Sequence, residues 1–180
     1  MHSKRIVFSG SGGQGVITAA IILAEAAAIY EDLNAVQTQV YGPEARGGAT
    51  RSDIVISEEP IYYPKVLNPD FLVSLTQEAY NKYAGLIRPG GLLLTDSHFA
   101  KPESRIDARQ VQLPMYESVI EQIGKPIVFN ICMLGAFVGL TSVVKVESIL
   151  NVLGTKIPTD FLDMNRKALE IGLALARKRS

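Results

Sequence analysis

Residues 6–25 read IVFSGSGGQGVITAAIILAE, and the reading of this stretch decides the fold. Ile6, Val7 and Phe8 are β-prone and make a short buried strand. Ser9–Gly15 holds four glycines, and from Val16 the chain becomes rich in Ala, Ile and Leu, as a buried helix does. Strand, glycine loop and helix in that order form the first unit of a doubly wound α/β domain. Gly10, Gly12 and Gly15 fall on the G-x-G-x-x-G spacing. A helix N-terminus behind such a loop presents free N–H groups and a partial positive charge, which favours an anion. Gly10, Gly12, Gly13, Gln14 and Gly15 are therefore the candidate ligand-binding residues. The same glycines would also serve a tight turn beneath a buried helix, so the loop alone leaves both readings open.

Downstream, strand and helix patterns alternate. The first helix should reach Tyr30, and AAIILAEAAA is apolar on nearly every side. Ala35–Tyr41 alternates like a strand, Gly42–Gly48 (GPEARGG) is a loop, and Thr50–Ser57 returns as a strand. Asp70–Leu75 and Leu92–Asp96 are compact apolar strands on either side of a helix over 77–87. Arg105–Leu113 alternates weakly. Helices are expected over 115–123, 129–140 and 146–153, and a last one to about Lys178, with Thr159-Asp160 as its N-cap. The pattern predicts a single domain over 1–180. Its fold should be Rossmann-like α/β, a mainly parallel sheet with helices on both faces.

Composition narrows the function. The 180 residues are 47% hydrophobic and 20% charged, with a formal net charge of +0, so bulk charge points to neither nucleic acid nor an anionic membrane. Cys132 is the one cysteine, which excludes an intrachain disulfide and suits a reducing compartment. Alone it holds neither an iron–sulfur cluster nor a structural zinc. The start, MHSKRIVF, lacks a signal-peptide pattern, and 127–140 is too short and too broken by Asn130, Gly135 and Gly139 to span a bilayer. The expectation is a cytoplasmic protein without membrane insertion.

Catalytic groups are scarce. An NAD-binding unit needs an acid at the end of its second strand, but that strand ends Gln39-Val40-Tyr41-Gly42. No Lys follows Gly15, so the loop is not a P-loop. Cys132 lies in an apolar stretch and reads as a small buried hydrophobe. Asp96-Ser97-His98 has no serine elbow beside it and reads as a plain turn. Asp53, Asp70 and Asp96 lack metal-ligand spacing. GPEARGG is the unusual stretch: a loop with three glycines and a Glu44/Arg46 pair is entropically costly unless something holds it. Glu44, Arg46, Gly47 and Gly48 are therefore a candidate interface or ligand loop, with a solvated surface pair as the alternative. The apolar first helix and the small residues of 130–140 suggest a further expectation, that the chain is an oligomer or a subunit.

SGSGGQGV, then QVYGPEARGGATRSDIVIS, then Asn130 followed by MLGAFVG resemble the gamma subunit of the 2-oxoacid:ferredoxin (or other acceptor) oxidoreductases, over essentially the whole chain. The resemblance implies a complex that oxidatively decarboxylates a 2-oxoacid to acyl-CoA, of the pyruvate, 2-oxoglutarate or ketoisovalerate type. It also implies thiamine diphosphate held mainly by alpha and beta subunits, and clusters on beta or a delta subunit. Electrons would leave to ferredoxin or a similar acceptor. The chain itself would bind no cofactor alone and carry no catalytic residue. It would support assembly, with coenzyme A as its candidate ligand, and be inactive in isolation. A stand-alone Rossmann nucleotide-binding oxidoreductase and a purely structural subunit are the alternatives.

Overall fold

A computed structural model describes residues 3–40 and 48–179. Six strands form one sheet: β1 (Lys4–Ser11), β2 (Asn34–Gln39), β3 (Ala49–Ser57), β4 (Phe71–Ser74), β5 (Gly91–Asp96) and β6 (Ala108–Leu113), in the order β2-β3-β1-β4-β5-β6. β1, β4, β5 and β6 pair in parallel. β3 runs antiparallel to both β1 and β2, so it alone opposes the common direction. The expected mainly parallel sheet is present, with β3 inserted where a Rossmann unit would place β2.

The helices are α1 (Val16–Tyr30), α2 (Gln77–Tyr83), α3 (Met115–Gln122), α4 (Phe129–Thr141), α5 (Val146–Lys156) and α6 (Thr159–Arg177). Ile6 and Phe8 of β1 point into a large core shared with α1, α3, α4, α5 and α6. Val7, one residue out of phase, points into a smaller core with Tyr80 and Tyr83 of α2. Both faces of the sheet are thus covered, unequally.

Two expectations change here. Most of the apolar surface of α1 is consumed within the chain: Ala19, Ile22, Leu23 and Ala26 have no exposed area, because α4 and α5 pack on it as well as the sheet, and only Ile29 and Tyr30 of its large apolar side chains stay exposed, at its C-terminal end. The small residues of α4 likewise serve α6, since a Cβ added at Gly135 would overlap the Leu169 carbonyl, and one at Gly139 would come 2.7 Å from Ala176 Cβ. The buried stretch of α1 and the small residues of α4 therefore do not support the argument for an oligomer. A correction also falls on α6. Its N-cap is Pro158, without a side-chain cap, and Thr159 is already helical. Pro158 has no side-chain acceptor, so the helix opens on a backbone bond alone, Phe161 N–H donating to the Pro158 carbonyl at 2.9 Å.

Candidate functional site

The C-terminal ends of β1, β4, β5 and β6 lie at one end of the sheet, and the glycine loop and the first residue of β3 meet there. Ser11, the last residue of β1, pairs with Ala49, the first of β3. Gly48, half-buried, therefore enters the sheet beside the glycine loop. Glu44, Arg46 and Gly47 lie outside the described residues.

Within the loop the glycines divide by what surrounds them. Gly15 is the N-cap of α1 with φ +75°, and a Cβ there would come 2.5 Å from Asn130 Nδ2. The Asn130 amide in turn donates to the Gly15 carbonyl at 3.2 Å. A Cβ on Gly10 would come 2.5 Å from Gln14 Oε1. These two glycines are needed by the fold itself. Among the described residues, a Cβ added at Gly12 would meet only Thr50 Oγ1, at 4.0 Å, and one at Gly13 nothing within 4 Å, so those residues leave this backbone open to approach. Gln14 acts as a brace: its Oε1 accepts from Ser11 N–H at 2.8 Å and its Nε2 donates to the Leu75 carbonyl at 3.4 Å, just beyond β4.

The N-terminus of α1 has no side-chain cap and no acid in its first turn. It opens on a cavity of about 560 Å³. Gly13, Gly15, Thr18, Lys125, Asn130 and Asn165 form the polar part of the wall. Ile127, Phe161 and Met164 form an apolar part, and Ile127 and Phe161 are 76% and 51% exposed at its rim. A cavity of about 630 Å³ lies at the other end of the sheet, by Leu33, Val144 and Leu173, away from both loops. Lys125 and Phe161 carry no motif, because only the packing of α4 on α6 brings them to α1. Asn130 did leave a signal, as a lone amide in an otherwise apolar run.

The acids have structural partners. Asp53 is buried, ion-paired with Arg51 at 2.6 Å and accepting from Val66 N–H at 2.9 Å. Asp70 accepts from Arg5 N–H and pairs with Arg88, both at 2.7 Å. Asp96 accepts from His98 N–H at 2.9 Å and Tyr116 N–H at 2.8 Å, so Asp96-Ser97-His98 is a turn that also fixes the start of α3. Cys132 has no exposed area, and burial pushes its thiol up to about 12. The missing acid after β2 also gains a reason. β3 separates β2 from β1, so the end of β2 is one strand removed from the glycine loop.

Residues 5–175 match the model of the pyruvate ferredoxin/flavodoxin oxidoreductase family. The chain belongs to this family. It is 44% identical over 177 residues to the 2-oxoglutarate synthase subunit KorC of Methanocaldococcus jannaschii, spanning 97% of this chain and 95% of that protein. The crystal structure of the keto/oxoacid ferredoxin oxidoreductase gamma subunit from Geobacter sulfurreducens superposes with a TM-score of 0.92 at 39% identity, over 99% of this chain and 98% of that one. The same fold occurs in the 2-oxoglutarate:ferredoxin oxidoreductase of Magnetococcus marinus, with a TM-score of 0.87 at 23% identity, over 98% of this chain but 31% of that longer one. The family resemblance read from the sequence is thus confirmed: the chain is a gamma-type subunit of a multisubunit 2-oxoacid:ferredoxin oxidoreductase. Among the described residues, no helix is long and apolar enough to cross a membrane.

Proposed function

We propose that this chain is the gamma subunit of a cytoplasmic complex that oxidatively decarboxylates a 2-oxoacid of the 2-oxoglutarate class to its acyl-CoA. Its own part is to complete the assembly as a single domain and to receive coenzyme A at the glycine-loop cavity. Thiamine diphosphate belongs to alpha and beta partners, and iron–sulfur clusters to beta or a delta subunit, from which ferredoxin takes the electrons. A cluster does not fit this chain, since its one cysteine is buried and its thiol stays protonated at neutral pH.

One observation carries the coenzyme A reading. The uncapped N-terminus of a 15-residue helix and a lysine face the same cavity as an apolar wall. A phosphate would take the helix N–H groups and Lys125, and the uncharged part of the ligand would lie on Ile127, Phe161 and Met164. The volume falls in the range of about 300–1,000 Å³ usual for small-molecule sites. The Magnetococcus marinus enzyme was solved with 2-oxoglutarate, coenzyme A and succinyl-CoA bound. The position of β3 counts against a stand-alone nicotinamide enzyme.

The test places a negative charge in the cavity without harming the helix. Thr18 is exposed in the first turn of α1. Thr18→Glu should hold or raise thermal stability, because an acid there favours the helix dipole by about 0.3–1 kcal/mol. In the reconstituted complex it should raise KM for coenzyme A about tenfold, equivalent to about 1.4 kcal/mol. Calorimetric affinity should fall in step, and thiamine-dependent decarboxylation without coenzyme A should be unaffected. An unchanged KM and affinity would leave the purely structural subunit as the correct reading.

A further inference from the structure

On the α2 face of the sheet, one row of side chains is polar from strand to strand. The pairing register sets Arg51 of β3 beside Ser9 of β1, Ser9 beside Ser74 of β4, Ser74 beside Thr95 of β5, and Thr95 beside Gln112 of β6. Val7, Leu72 and Leu93 of the α2-side core stand two residues before Ser9, Ser74 and Thr95, so the three hydroxyls share that face. All three have no exposed area.

The protons of this row can be assigned in order. Ser9 Oγ donates its single proton to the Val73 carbonyl at 2.7 Å. The 3.1 Å contact between Ser9 Oγ and Ser74 Oγ is therefore donated by Ser74. Ser74 has then used its proton and retains accepting capacity. Thr95 Oγ1, next in the row, has no hydrogen-bond partner among the described residues although it is fully buried. A hydroxyl in that position destabilises the fold unless something pairs with it. Gln112 is directed elsewhere, its Nε2 donating to the Ala100 carbonyl at 2.7 Å.

We propose that an internal water molecule bridges Ser74 Oγ and Thr95 Oγ1 and completes this buried row. Ser9 and Ser74, register partners on neighbouring strands, bond directly at 3.1 Å, whereas Thr95 Oγ1 makes no such bond to Ser74, and a water oxygen hydrogen-bonded to both hydroxyls closes that gap. The water donates to Ser74 and accepts from Thr95, and so relieves the one unpaired group. It sits where the segments leaving β4 and β5 are tied together. Gln77, the first residue of α2, accepts from Lys101 N–H at 2.7 Å, and Thr76 caps α2 through Ala79 N–H at 3.1 Å. The water fastens the same two strand ends from inside the sheet.

High-resolution crystal structures of the chain and two variants test this. The parent should show a water peak within hydrogen-bond distance of both Ser74 Oγ and Thr95 Oγ1. Thr95→Ser should keep that peak, and Thr95→Val, the same shape without a hydroxyl, should lose it. A parent structure without the peak, or with Thr95 Oγ1 bonded to a protein atom, overturns the proposal. So does an unchanged peak in Thr95→Val. Should the valine variant fail to crystallise, the parent and serine structures decide the matter alone.

Discussion

Asp96 sits at the end of β5 with no exposed surface, and its carboxylate holds the N–H groups of His98 and Tyr116. Burial raises its pKa above the ordinary 3.8, and the N–H groups counter only part of that. An acid with a raised folded pKa binds its proton more tightly in the folded state. Its contribution to stability is therefore full below about 3.8 and is lost as pH rises through the raised value. The stability advantage of the parent over Asp96→Asn should accordingly shrink as pH climbs from 3.8 through the weakly acidic range, followed by urea denaturation. A difference that stays constant across that range would show that Asp96 does not titrate in the fold. At this scale the sequence is readable where a residue acts locally. Asp96 turns its own backbone two residues on, and Cys132 follows its apolar neighbours into the core. It is not readable where a residue acts at long range. Asn130 reaches Gly15 across 115 positions, and Gln14 reaches Leu75 across 61.

α4 and α6 show the same division among whole elements. Both were legible as helices from spacing, and α4 as a helix of small residues, but the partner of those small residues was not. Gly172 of α6 lies so near α4 that a Cβ there would overlap the Cys132 carbonyl and come 2.6 Å from Ala136 N. Both obstacles are backbone, which cannot rotate away. Gly172→Ala should therefore cost about 1–3 kcal/mol or more through overpacking. Gly154, in α5 and exposed, has nothing among the described residues within 4 Å of its added Cβ. Gly154→Ala should stabilise by about 0.5–1 kcal/mol, because alanine restricts the unfolded chain and favours the helix. Thermal denaturation of the two variants beside the parent measures both, and equal shifts would refute close α4–α6 packing. Periodicity reports which face of a helix is apolar. For α1 and α4, apolar almost all round, it names no face and so cannot distinguish a neighbour in the same chain from another subunit.

In the whole molecule the antiparallel β3 has the widest consequence. The glycine loop and the alternation of strands and helices gave away the α/β class, but β3 reads like any other strand, and nothing local states that it lies between β2 and β1. Because it does, Ala49 pairs with Ser11, and Gly48 enters the sheet at the end where the glycine loop opens on its cavity. That convergence gives Arg46, two residues before Gly48, a specific hypothesis. We propose that Arg46 makes a forked contact to a carboxylate or phosphate in the assembled complex. If so, Arg46→Ala should leave the melting temperature of the lone chain unchanged while sharply reducing assembly or turnover of the complex. Breaking a buried charge pair costs about 3–5 kcal/mol, against about 0–1 for an exposed one. At about 1.4 kcal/mol per factor of ten, the buried case predicts a loss of at least about a hundredfold, whereas the exposed case predicts no more than about fivefold. Arg46→Lys should recover little, since an ammonium carries the charge without the planar fork. Melting of the lone chain, measured beside activity of the reconstituted complex, separates the cases. If the alanine complex turns over like the parent, Arg46 is a solvated surface charge, and the three glycines of its loop serve only the turn into β3.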